Sequence, residues 1–197
     1  MWTCCVAEST IDAAAVANAP IEGKALRERF FAGATFGEQL SRPKESFELW
    51  ESVYRRAALT PEASARAAAL DGVWHMLILN EDWCGDSLNI LPYLARLEEC
   101  CHNIEMRILG RESNRDLMDA HLTGTSRSIP LAIVYDESFV ERGWWGPRPG
   151  PLQAWVLAEG LALPKPDRYR HIRTWYARDR GNTVVSEILS IMERLDA

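Results

Sequence analysis

The stretch Val73-Trp74-His75-Met76-Leu77-Ile78-Leu79, followed after Asn80 by Glu81-Asp82-Trp83-Cys84-Gly85-Asp86-Ser87, decides the fold. Its first half is a continuous apolar run of strand length. Beyond Ser87, Leu88, Leu91, Leu94 and Ala95 recur at helical spacing, so a buried strand is expected to feed a helix with one cysteine at the junction. A cysteine in the first turn of a helix meets unpaired backbone N–H groups and the positive end of the helix dipole, and both favour thiolate over thiol. Such a position suits a nucleophile. Glu81, Asp82 and Asp86 lie within a few residues and oppose a further negative charge. Each contributes ~0.3–1 kcal/mol when exposed, similar to the dipole it works against.

A second motif stands far along the chain, where Ser128-Ile129-Pro130-Leu131-Ala132-Ile133-Val134 opens another apolar strand with Ile-Pro. Strand, Trp-Cys-Gly-x-x, helix and a distant Ile-Pro strand, in that order, resemble the thioredoxin superfamily over roughly residues 73–195. The resemblance implies an α/β, thioredoxin-like fold: a mixed, mainly four-stranded sheet flanked by helices. It puts Cys84 at the attacking cysteine and Pro130 at the cis-proline facing it. Ile129 and Pro130 are then expected to line a groove in which an extended substrate pairs like an added strand, with Trp83, Gly85 and Asp86 as its other substrate-binding residues.

The departures from the pattern shape the chemistry. Ser87 stands where the second cysteine of Cys-x-x-Cys belongs, Asp86 where its central proline belongs, and Ile78 where thioredoxins keep a strand aspartate. Three residues after Cys84, Ser87 shares its helix face. Its hydroxyl can hydrogen-bond a thiolate but cannot attack a mixed disulfide and release the partner. Cys84 and Ser87 are therefore expected to carry single-cysteine thiol–disulfide exchange with protein or small-molecule thiols and disulfides. No cofactor is expected, with glutathione the candidate co-substrate. Cys-Gly-x-Ser also resembles monothiol glutaredoxins, some of which share an iron–sulfur cluster with glutathione, although a tryptophan before the cysteine is closer to thioredoxins. Two other readings stay open: a non-catalytic binding or adaptor module using the same groove, and ligation of a cluster or metal.

Composition narrows the partners. With 22 Lys and Arg against 28 Asp and Glu, the net charge is −6, which does not supply the basic surface that neutralises phosphates, so no nucleic acid is expected. No run of 18 apolar residues exists and Met1-Trp2-Thr3-Cys4-Cys5 lacks a basic n-region and long apolar core. No membrane span and a cytoplasmic location are the expectation. Five cysteines, with Cys4-Cys5 and Cys100-Cys101 adjacent, do not form a secreted disulfide framework. Cys4, Cys5, Cys100, Cys101 and His102 lack the two-to-four-residue spacer of zinc ligand pairs, and no metal site is assigned.

Along the chain, residues 1–71 read as a helical extension before a thioredoxin-like domain over 72–197. Ser9 or Thr10 caps a first short helix. A pattern through Leu26, Phe30 and Phe31 gives a second, and Phe47, Trp50, Val53 and Tyr54 give a third. Thr60-Pro61 opens a fourth, as N-cap and first helical residue. Strands are expected over 104–109, 131–135 and 139–144, the last two as a hairpin, and helices over 115–122, 152–161, 167–178 and 182–195. Arg111, Arg115 and Arg127 suit recognition of a carboxylate. The loop Trp144-Trp145-Gly146-Pro147-Arg148-Pro149 is a candidate wall for the site, and no histidine receives a catalytic role.

Overall fold

The structure, a computed structural model, describes residues 23–42 and 46–196. Cys4, Cys5 and the helix expected from Ser9 or Thr10 lie outside the described residues. One four-stranded sheet runs in the order β2-β1-β3-β4, with β1 Trp74–Asn80, β2 Ile104–Gly110, β3 Leu131–Tyr135 and β4 Glu141–Trp145. β1 pairs with β2 in parallel, and β3 is antiparallel to both β1 and β4. This is the mixed α/β arrangement expected from the sequence.

β1 explains why the sheet is central. All seven of its residues are buried, and successive side chains point to opposite faces. Trp74, Met76 and Ile78 join one core, with Leu91, Leu94 and Leu97 of helix α5 (Gly85–Cys100) and Val184, Ile188 and Leu189 of helix α9 (Asn182–Met192). Leu77 and Leu79 join the other, together with Cys84, Leu117 and Met118 of helix α6 (Arg115–Ala120), Ile129, Leu131 and Ile133. An apolar run without alternation is what a strand covered on both sides requires.

The N-terminal helices divide between these cores. Leu26 and Phe30 of α1 (Gly23–Phe31) pack into the core that holds Cys84. α2 (Phe36–Ser41), α3 (Phe47–Arg56) and α4 (Pro61–Ala68) add Phe36, Trp50 and Ala67 to the opposite one. Thr35 and Glu38 form a reciprocal capping box on α2, and the Thr60 hydroxyl accepts the Ala63 amide at the start of α4. Between α1 and α2, Ala34 exchanges two backbone hydrogen bonds with Ile108, which covers part of the outer edge of β2.

Several boundaries differ from the sequence pattern. The last helix, expected over 182–195, ends at Met192, and α2 was not expected. The strand expected from Phe139 begins at Glu141, because the Asp136 carboxylate accepts the amides of Ser138 and Val140 and winds Phe139 into a turn at φ +60°. The helix expected over 152–161 is α7, Gly150–Ala158, followed by a separate 3-10 turn at Gly160–Ala162 and then α8 (Lys165–Asp179).

Candidate functional site around Cys84

Antiparallel pairing makes the site. Leu79 sits opposite Leu131, so the chain leaving β1 toward Cys84 runs beside the chain entering β3 through Pro130. Cys84 is the N-cap residue of α5, and its sulfur lies 3.5 Å from the Ile129 carbonyl oxygen, which accepts the thiol hydrogen. The Ile129-Pro130 peptide is cis. Two segments 45 residues apart in sequence thus meet at one sulfur, as the two motifs together imply.

The electrostatics of that sulfur differ from the sequence expectation. Cys84 is only 7% exposed, and burial pushes its thiol above the usual value of 9.0, with the Asp86 carboxylate adding to the shift. The Ser87 hydroxyl and the Ser87 and Asp86 amides at the helix start pull the other way without prevailing. Desolvation therefore outweighs the helix terminus at Cys84, opposite to the direction expected from its place at the helix start. Ser87 is fully buried, and its Oγ has no regular hydrogen-bond partner. The Cys84 sulfur is the group on which its O–H dipole acts.

Asp86 is occupied from the protein side. Its carboxylate forms an ion pair with Arg148 at 2.6 Å and accepts the Tyr176 hydroxyl at 2.9 Å. The two charged side chains are 12% and 19% exposed, so the pair is largely desolvated and tightly coupled. Burial beside Asp86 holds Tyr176 protonated far above its usual range, as the donor this contact requires. Asp86 is thus anchored within the fold.

The loop after β4 delivers Arg148. Gly146 sits at φ +142°, and any Cβ there would collide with the Pro130 carbonyl oxygen, so glycine is what lets the loop lie against the cis-proline. A second cis bond follows at Gly146-Pro147, and Arg148 reaches Asp86 immediately after it. The density of Trp, Gly and Pro in 144–149 flagged this loop in the sequence. Nothing in the sequence pointed to Tyr176 of α8, whose place depends on how a C-terminal helix packs.

The other flank is open. Trp83 is 67% exposed, and the Arg111 guanidinium lies 5.1 Å from the centre of its ring. Gly85 is exposed, whereas Ile129 and Pro130 are buried. Arg111, Arg115 and Arg127, separated in sequence, line one groove of about 490 Å³. Among the described residues no group of three or more metal-ligating side chains occurs. Cys100 and Cys101 stand at the far end of α5, ~24 Å from Cys84 at 1.5 Å per helical residue, beyond disulfide reach. Among the described residues Cys84 therefore has no second thiol within disulfide reach.

A family model described as Thioredoxin matches residues 33–167. The chain belongs to the thioredoxin family. Among solved structures, it is similar to a protein of unknown function, PA1234, from Pseudomonas aeruginosa, at 20% identity and TM-score 0.72, covering 86% of this chain and 97% of that one. It is also similar to an HIV 4E10 epitope-scaffold at 22% identity and TM-score 0.67, covering 85% and 96%. A search of curated proteins finds no match. Among the described residues, no helix of this thioredoxin-family chain is long and apolar enough to cross a membrane.

Proposed function

We propose that this protein performs single-cysteine thiol–disulfide exchange and holds its partner as a long-lived mixed disulfide. The observation that carries this reading is the Cys84 sulfur at the N-cap of α5, against the Ile129 carbonyl and the cis-proline, with a serine in the resolving position. In the step itself the Cys84 thiol loses its proton to solvent, and the thiolate attacks one sulfur of an incoming disulfide. The Cys84–S bond forms as the partner S–S bond breaks, and the other half departs as a thiolate that takes up a proton.

A raised Cys84 pKa affects both directions. It lowers the thiolate fraction at neutral pH, so capture is slow. It also makes Cys84 a poor leaving group, so the mixed disulfide is slow to be displaced. Without a resolving thiol on the same helix face, release waits for an external thiol such as glutathione. Capture followed by slow release is the expected behaviour, rather than rapid turnover.

The test is incubation of the chain with a disulfide-bonded peptide, followed by non-reducing mass spectrometry. A one-to-one adduct on Cys84, reversed by an external thiol and missing from Cys84→Ala, is the expected result. Modification of Cys100 with Cys84 untouched would overturn the proposal. The slight exposure of Cys84 also favours a second reading, a binding module whose groove holds partners without chemistry. Partner binding that survives Cys84→Ala would support that module, and binding lost with the thiol would exclude it.

A further inference from the structure

The groove beside Trp83 offers a ligand chemistry of its own. It is walled by the start of the segment leading to α6 and by the chain approaching Pro130, and Arg111 binds both its ends. That guanidinium stacks on Trp83, the residue before Cys84, and its Nη1 donates to the Arg127 carbonyl at 3.4 Å, two residues before Ile129. Arg111 therefore ties this groove to the two segments that meet at the Cys84 sulfur.

Three guanidiniums there share two carboxylates. Arg111 and Arg115 both contact Glu112, and Arg127 is bidentate to Asp119. Arg115 is 65% exposed and commits only Nη2 to Glu112, at 3.0 Å. Its Nε and Nη1 have no partner among the described residues, and the Nη2 hydrogen not given to Glu112 completes a two-donor edge with one of them. The hydroxyls of Ser126 and Thr125, which also line the groove, make no side-chain hydrogen bond among the described residues. These exposed donors have no acceptor among the described protein groups, and a carboxylate is the ligand that satisfies a guanidinium edge in fork geometry. Glu81, whose carboxylate accepts the Glu112 amide at 3.1 Å, brings the neighbourhood close to neutral. Selection therefore comes from directed donors rather than from bulk field.

We propose, resting on the exchange reading above, that this groove is a carboxylate subsite and that Cys84 captures acidic disulfides in preference to neutral ones. The Arg115 fork takes the carboxylate, Ser126 and Thr125 add donors, and the Trp83–Arg111 stack forms the wall along which the substrate reaches the sulfur.

The experiment compares mixed-disulfide formation on the full chain with 5,5′-dithiobis(2-nitrobenzoate), which carries carboxylates, and with neutral 2,2′-dithiodipyridine, each followed on the Cys84 peptide. Arg115→Gln is expected to slow the acidic reagent ~10-fold and to change the neutral one less than ~2-fold, the size of one lost charge-assisted hydrogen-bond pair. Arg55→Gln, which removes the same charge from an exposed site on α3, is expected to change neither. Equal effects of Arg115→Gln on both reagents, or an equal effect from Arg55→Gln, would overturn the subsite and leave the exchange reading intact. Absence of reaction at Cys84 with either reagent would overturn both.

Discussion

Cys84 and Cys101 cap the two ends of one helix, and both are buried, at 7% and 5% exposure. At the start of α5, N–H groups point toward the Cys84 sulfur, and the Ser87 hydroxyl and two amides partly offset the cost of burial. At the end, Cys101 lies among carbonyls and next to another thiol, and burial with Cys100 beside it drives its pKa up to about 11. Burial opposes ionisation at both ends. The helix terminus decides only how much of that opposition is cancelled, and at Cys84 the cancellation is incomplete.

The sharpest way to break this contrast is Ser87→Cys, which places a second thiol one turn from the first. Release of a peptide from the mixed disulfide is expected to accelerate ~100-fold or more, because the displacing thiol becomes intramolecular. Non-reducing gel time courses measure it. An unchanged lifetime would show that the 87 position cannot reach the Cys84 sulfur.

Arg148→Gln tests the charge balance beside the active end of the helix. Removing one partner of a desolvated pair leaves Asp86 charged and unpaired, at a cost of ~3 kcal/mol read from urea unfolding. It also strengthens the negative field on Cys84 and slows its alkylation further. In the double variant with Asp86→Asn much of both effects should be recovered, and failure to recover them would sever Arg148 from the thiol.

The gentlest probe is pH. Alkylation at Cys84 is expected to rise steeply only above pH 9, and Cys101 to follow with a midpoint near pH 11. The sign for stability follows from the same shifts. The unfolded chain releases these protons near 9.0 while the folded chain retains them, so the contribution is complete below pH 9 and is lost as pH climbs through the folded values. A Cys84 midpoint below 9 would show that the helix start outweighs burial after all.

These outcomes also mark how far the site was legible in the chain. Trp83-Cys84-Gly85 between an apolar run and a helical pattern, with Ile129-Pro130 before a second apolar run, carried the resemblance that implied the sulfur and the proline face each other; local patterns supplied the elements but not their pairing. Arg111, Arg115 and Arg127 were legible as carboxylate-seeking side chains. Their arrival in one groove was not, because it requires the segment after β2 and the approach to β3 to lie side by side. Asp86 was the least legible residue. The resemblance made it an expected substrate contact, while only the fold shows Arg148 and Tyr176, brought in from a loop and a helix far down the chain, holding its carboxylate.

By itself the sequence determined the alternation of elements, the sulfur at a helix start and the want of a resolving thiol beside it. These depend on periodicity and on residue identity, which are local. The tertiary structure alone decided that burial raises the Cys84 pKa, that Asp86 is ion-paired with Arg148 and that an arginine-lined groove opens beside Arg111. Desolvation and ion pairing depend on what packs around a group in space, and that is set by segments distant in the chain.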